Sequence, residues 1–508
     1  MTVINSNISA LKAQANIAAN SRKLDSAMER LSTGTRINSA KDDAAGLAIS
    51  NKMTAQINGL NQAIRNANDG LSMFATIEGS LTQTTNVLQR MRELAVQSSN
   101  DTNSVADRQF IQSEVVQMNA ELDRISSQSR YNGQKVLDGS FSNKVLQIGA
   151  NSNETISFNV SSSASSDIGI YETRQGTIGA IAGTAAGTLP ANSNTAQTLH
   201  ISGSLGTSTA SIVVNSTAYA AAAAINNETS NTGVSATATT KAMISSLSDA
   251  GTITFDVTGK NSSAVTVSAT VADTTDLTTV ADAFNLVSSQ TGITAQLSSD
   301  KSSVLLSNSD GYDIGLAGFT NSAVTNGGTV AVDGMTGNST ADSSITDTNY
   351  APGTEVTLTS GNAADSTRVV GDLDFQSSTA FTVYSGSGAA GTDFVDSSSQ
   401  SASLSAISDI DTSSQSTASE AISVIDGAIA KVSSMRGDLG AISSRLEKTV
   451  DSLTASSTNT SAARSRVLDA DYSLETTNLS KAQIIAQASN AMLAQANQQP
   501  QMVLSLLK

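Results

Sequence analysis

The residues able to do chemistry are few. One histidine serves the whole chain, His200, inside Gln197-Thr198-Leu199-His200-Ile201, and no glutamate stands near it at a metal-binding spacing. A single histidine completes neither an HExxH site nor a multi-histidine one. Cysteine is absent, which removes disulfides, thiolate zinc sites and cysteine nucleophiles. The many serines form no Gly-x-Ser-x-Gly elbow. The acidic turn Asp310-Gly311-Tyr312-Asp313 has the composition of a calcium loop but lacks the EF-hand spacing and its closing glutamate, so a solvated turn is expected there. The alternating flanks of His200 make it a strand residue. No catalytic residue, cofactor site or metal ligand is therefore assigned, and the chain is expected not to be an enzyme.

Composition bounds the remaining possibilities. At 508 residues the chain is long enough for about three domains. Its 28 basic and 44 acidic side chains leave a net charge of −16, a poor surface for nucleic acid. The opening Met1 to Asn7 shows no basic start followed by an apolar block, so no cleaved secretory signal is expected, and export would need another route. No run approaches the roughly 20 apolar residues that span a bilayer, so membrane insertion is not expected. Charge is uneven along the chain: residues 1–140 carry 14 basic and 13 acidic groups, residues 401–508 carry 8 and 10, and residues 141–400 carry 6 and 21. Two balanced ends can approach each other, whereas the acidic Ser/Thr/Ala/Gly-rich middle prefers water.

Periodicity supplies the elements. Leu60, Ile64, Ala67, Leu71, Phe74, Leu81, Leu88 and Ala95 follow alternating 4 and 3 spacing, interrupted by Glu78, Thr85 and Arg92. Ile111, Val115, Met118, Leu122 and Ile125 form a second seam, and Ala418, Ile422, Ile425, Ile429, Val432, Leu439, Leu446, Val450 and Leu453 a third, broken at Arg436 and Ser443. Long helices with seams this narrow pack side by side as a bundle. The extreme ends are helical but rich in Ala and Ser. Ile4, Ile8, Leu11, Leu479, Leu493, Ala496, Val503, Leu504 and Leu507 lie on seams that bury little area in one chain, so they are expected to form an interface between copies. Short strands are expected around Leu146 to Ile148 and Ile156 to Val160. In the middle, Ala224 to Thr239 aligns without gaps to Ala283 to Ser298, a repeat of 59 residues reading as helix, Thr-Gly turn and strand.

The expected class is α+β: a long helical bundle or coiled-coil core formed by both chain ends, with β-rich variable domains inserted between them. Both ends also resemble bacterial flagellin. The residues that carry the likeness are Met1 to Asn7, Arg30 to Ile49 (RLSTGTRINSAKDDAAGLAI), Leu88 to Gln97 (LQRMRELAVQ), Tyr131 to Gly133, Asp469 to Tyr472 (DADY) and Leu493 to Leu507 (LAQANQQPQMVLSLL). The resemblance implies inner-core segments at 1–44 and 459–508, a helical outer-core domain from 45–165 and 403–458, and surface domains over 166–402. It implies an extracellular helical homopolymer of the flagellum, used for swimming. The partners it implies are further copies of the chain, the type III export apparatus, a chaperone on the C-terminal helices, and the filament cap and hook-junction proteins. By the same likeness, Arg90, Leu94 and Glu114 match positions presented to neighbouring subunits and to the host flagellin-sensing Toll-like receptor. Leu94 lies off the seam of Leu88 and Ala95, so it is expected at the surface, where its truncation would leave melting nearly unchanged. Two other readings remain: a hook-filament junction protein, and a flagellin with an enzymatic central insert.

Overall fold

The computed structural model describes residues 7–506 apart from 176–178, 262, 299, 324–326, 337–350, 387–392 and 396–397. The chain divides into two compact units, residues 1–76, 143–159 and 439–508, and residues 77–142 and 160–438.

The first unit is helical. Helix α1, Ile8–Thr33, begins at Asn7, whose side chain accepts from the Ala10 amide. It ends at Gly34, where φ of 72° is a left-handed cap that a glycine adopts without Cβ strain. The unit also holds the first turns of α2, Ala44–Ser98, the last turns of α8, Gln415–Leu468, and all of α9, Tyr472–Leu506. Within it, Asn61 accepts from Ser457 at 3.0 Å and Thr54 from Arg464 at 3.4 Å, so α2 and α8 run antiparallel. The expected short strands are Lys144–Gln147 and Thr155–Phe158, an antiparallel hairpin laid on α2. Phe158 meets Phe74 edge to face at 4.9 Å, and Asn66 donates to the Gln147 carbonyl at 3.0 Å.

The second unit continues both long helices and adds α3, Val105–Gln128, which opens with a Ser104–Asp107 capping box. The seams are buried as the spacing predicts: Leu81, Leu88 and Ala95 on α2, Val115 and Leu122 on α3, and Ala418, Ile425 and Val432 on α8 are sealed from solvent. Two of the polar interruptions pair with each other. Glu78 takes Arg436 at 2.7 Å, while Arg92 grips Asp426 through two bonds of 2.6 and 3.2 Å. Both pairs are partly exposed and contribute little stability, but they favour one alignment of the helices over its neighbours.

The rest of this unit is antiparallel β-structure with short helices between the strands. One sheet orders Thr294–Leu297, Val304–Asn308, Ser235–Ser245, Asp372–Ser377, Gly169–Gln175 and Ser403–Ala406, with Thr329–Thr336 and Ala351–Thr359 branching from Ser235–Ser245. A second sheet centres on Gly251–Thr258 and Ile314–Asn321, and a third on Thr382–Ser385 and Gln197–Ser202. The 59-residue repeat is a repeat of structure. A hairpin, a helix, one further turn and a strand occur twice, with α4 (Ala218–Asn226) and α5 (Thr229–Thr232) in the first copy and α6 (Thr278–Leu286) and α7 (Ser288–Thr291) in the second. Asn226 both accepts from the Ala236 amide and donates to its carbonyl, and Asn285 does the same with Ala295. The turn glycines Gly233 and Gly292 have φ of 75° and 72°. Ile225 and Phe284 fill equivalent core positions with no exposure.

The sheet approaches α8 closely at Gly427, where a Cβ would lie 2.8 Å from the Cβ of Ile170. Near this contact is half-buried Glu172. Burial pushes its carboxyl above the ordinary range, Arg174 pulls it down, and Asp374 and Glu420 push it further up. The folded unit therefore holds this proton more tightly than the unfolded chain, so the group's contribution favours folding at acid pH and declines as pH rises through the unfolded and then the folded pKa. Glu172→Gln is expected to raise the melting temperature at neutral pH, with the difference from the parent protein shrinking as pH falls to about 4. A difference constant with pH would exclude this account.

Candidate self-assembly surface

The two ends of the chain fold against each other through polar clamps rather than a thick core. The Asn7 side chain donates to the Ala496 carbonyl at 2.8 Å, and Asn20, almost fully buried, donates to that of Ala482 at 2.8 Å. Arg30 meets Glu475 at 3.1 Å, with the glutamate side chain only 7% exposed. The base is closed by a bridge between Thr35 and Asp469 and by the Arg36 amide on the Leu468 carbonyl at 2.6 Å. In α1 only Asn20 and Ala27 are buried, and among the described side chains of α9 only Glu475 and Ala482. Small residues bring the helix backbones together but remove little apolar area from water.

Outside the clamp several large apolar side chains stand among the polar ones. Ile8, Leu11 and Met28 of α1 and Tyr472, Leu474, Ile484, Ile485 and Met492 of α9 are exposed, Leu11 at 62% and Ile484 at 66%. Eight large apolar side chains are thus left open to solvent on this one pair of helices. Of the residues singled out from sequence, Ile8 and Leu11 stand on this open face. Leu479, Leu493 and Ala496 are half-buried. Ile4 and Leu507 lie outside the described residues; Val503 and Leu504 fall within α9, but their side chains are not among those described. Sequence reasoning passed over Tyr472, Leu474, Ile484, Ile485 and Met492. The available signal was the adjacent apolar pair Ile484-Ile485, of which Ile484, two residues past Ala482, falls off its stripe.

The second group divides. Arg90 and Glu114 are joined at 3.0 Å across α2 and α3, and Arg90 also holds Glu93 at 3.0 Å, so an open ion-pair cluster stands on the surface. Glu93 first and then Glu114 strengthen the hold of the Arg90 guanidinium on its proton. Leu94 is not part of that surface. It is 1% exposed, which corrects the expectation from the seam. The reason is that α2 has two helical partners at this level: Arg90 bonds to α3 and Arg92 to α8, so the buried stripe widens from Leu88 and Ala95 to include Met91 and Leu94. A single 4-3 seam describes a helix with one neighbour only.

The sparse chemical residues have ordinary places. His200 lies in the strand Gln197–Ser202, stacked on Tyr384 at 4.7 Å. In the acidic turn, Asp310 faces Lys260 at 3.6 Å, and Asp313 is buried with its Oδ2 against Arg368 at 3.1 Å and Asn192 at 3.0 Å, so each carboxylate faces a basic group of its own chain.

Residues 4–142 match the family model of the bacterial flagellin N-terminal helical region, residues 422–507 that of the C-terminal helical region, and residues 198–248 that of the flagellin hook IN motif. Over 506 residues the chain is 39% identical to the B-type flagellin of Pseudomonas aeruginosa, covering 99% of each. It is 34% identical to the flagellin of Salmonella typhimurium over 533 aligned residues, covering all of this chain and 99% of that one. Among solved structures it is similar to FliC from Burkholderia pseudomallei at 20% identity, with a TM-score of 0.30, over 74% of this chain and 99% of that chain.

Proposed function

The chain belongs to the bacterial flagellin family, and from that premise we infer that the open apolar face of α1 and α9 is where its copies join. It is a structural subunit of the extracellular flagellar filament and serves motility. None of its described helices is long and apolar enough to cross a membrane. The observation that supports the assembly face is the thin burial between α1 and α9 beside eight exposed large apolar side chains. Ile8, Leu11, Leu479, Leu493, Ala496 and the seam continuing through Ile4, Val503, Leu504 and Leu507 form this interface in our reading, together with Tyr472, Leu474, Ile484, Ile485 and Met492. A contact between unlike faces whose rotation does not close gives an open helical array. Imaging the purified protein after adding a precipitant tests this reading: long filaments are expected, and their absence would favour a hook-filament junction protein.

The finer partners follow from the same surface. A loosely held apolar α9 suits an export chaperone that covers it until the chain passes the export apparatus, and the same ends meet the filament cap and the hook-junction proteins. Arg90 and Glu114, at the surface, are candidates for contacts with neighbouring subunits and with a host flagellin-sensing Toll-like receptor. Residues 1–44 and 459–508 form the inner core in this reading, 45–165 and 403–458 the helical outer core, and 166–402 the surface domains, with no catalytic role for the last.

The strand register suggests a clean way to remove those surface domains. Glu172 stands opposite Ser403 in antiparallel pairing, so deleting residues 176–399 leaves the two strands joined by a short turn. This deletion variant is expected to polymerise, as seen by sedimentation and imaging. A soluble, helical variant that never forms filaments would show that the surface domains clamp neighbours together.

A further inference from the structure

Phe110 is 74% exposed on α3, an unusual position for a phenylalanine. On its helix face it stands between Asp107, three residues before, and Glu114, four residues after. The stretch 101–117 carries Asp101, Asp107 and Glu114 against Arg108, a net −2. In the first unit, a shallow groove between α2 and α8 is lined by Met53 and Gln56 on one side and by Ala455, Ser456, Asn459 and Ala463 on the other. The helix segments around it, 49–60 and 448–466, carry Lys52, Lys448, Arg464 and Arg466 against Asp451, a net +3.

We propose that Phe110 of one copy seats in the Met53/Ala455 groove of the next copy along the filament, with the acidic flank of α3 against the basic rim of the groove. The occupant is a second copy because the filament subunit is surrounded by copies of itself, and because the helix segments that bear knob and groove are opposite in net charge. Small side chains on the α8 wall leave room for a ring, and Met53 supplies an adaptable apolar floor. Knob and groove are unlike sets of residues, and in the proposed contact each copy gives its knob to one neighbour and its groove to another, a heterologous arrangement that propagates. It is separate from the α1/α9 face but rests on the reading of the chain as a filament subunit.

The absence of native cysteine permits a direct test. The Phe110→Cys, Ala455→Cys double variant is assembled into filaments and treated with a short bis-maleimide. A ladder of covalent multimers on a denaturing gel is expected, with nothing beyond a dimer in either single variant. Filaments that form normally and give no ladder overturn the proposal. Independently, Phe110→Ala should raise the critical concentration for polymerisation about tenfold, as loss of an apolar anchor does at an interface, with monomer melting unchanged. An unchanged critical concentration, or a large fall in monomer melting, also overturns it. Failure of the parent protein to polymerise at all would instead strike the filament reading.

Discussion

A chain ending at Asp471, without α9, is expected to remain a folded monomer that forms no filaments at any concentration. The truncation removes Tyr472, Leu474, Ile484, Ile485 and Met492, most of the exposed apolar face, along with Leu479, Leu493 and Ala496. It also takes away the carbonyls of Ala482 and Ala496 and the carboxylate of Glu475, the groups that hold α1. A lone, thinly amphipathic α1 is marginal in water, so the helical signal should fall by the contribution of both helices, 35 and 26 residues. The remaining helices keep their own seams and ion pairs, Arg436–Glu78 and Arg92–Asp426 among them, so the main thermal transition should stay where it was. Circular dichroism and sedimentation decide the matter. Collapse of the whole helical signal would show that α9 belongs to the core of the monomer, and surviving filaments would show that the assembly face lies elsewhere.

Leu94→Ala is expected to destabilise the monomer strongly. The side chain is 1% exposed, on the stripe of α2 that also buries Met91 and Ala95. Truncating a buried leucine costs about 2 to 5 kcal/mol, through lost transfer free energy and the cavity left behind. The melting temperature of the helical core should fall by at least about 4 °C. Arg90→Ala provides the contrast. Its ion pairs with Glu93 and Glu114 are open to water, so the monomer should melt as before, and any defect should appear in assembly or receptor activation. If Leu94→Ala melts like the parent while polymerisation weakens, the side chain is at the surface in solution and its burial in the monomer is refuted.

The contrast between these two residues shows how far local pattern reaches. Helix existence and the buried side of each helix follow from spacing, because a helix repeats every 3.6 residues and its apolar stripe must meet something. Which second partner widens that stripe is a matter of three-dimensional neighbours. Leu94 is one residue off the seam, and only the presence of α3 beside α2 makes it core. The same limit applies at the ends. Ala-rich spacing marks α1 and α9 as poor monomer core, yet the open face could not be separated from the clamped one without knowing that Asn20 and Arg30 reach across to Ala482 and Glu475.

By itself, the sequence determined the α+β class, the long helices from both ends, the acidic inserted middle, and the 59-residue repeat, whose Asn226/Ala236 and Asn285/Ala295 bonds are local in sequence. All of these arise from contacts within a few turns of chain or from charge summed over a region, which spacing and composition record directly. Tertiary structure alone decided that Glu78 meets Arg436, that Gly169–Gln175 pairs with Ser403–Ala406 across more than two hundred residues, that Leu94 is buried, and that Phe110 is left exposed. Those outcomes depend on which surfaces remain after the strong seams have closed. Strand pairing and helix flanks are chosen by whatever the folded chain brings alongside, and no local period encodes that choice.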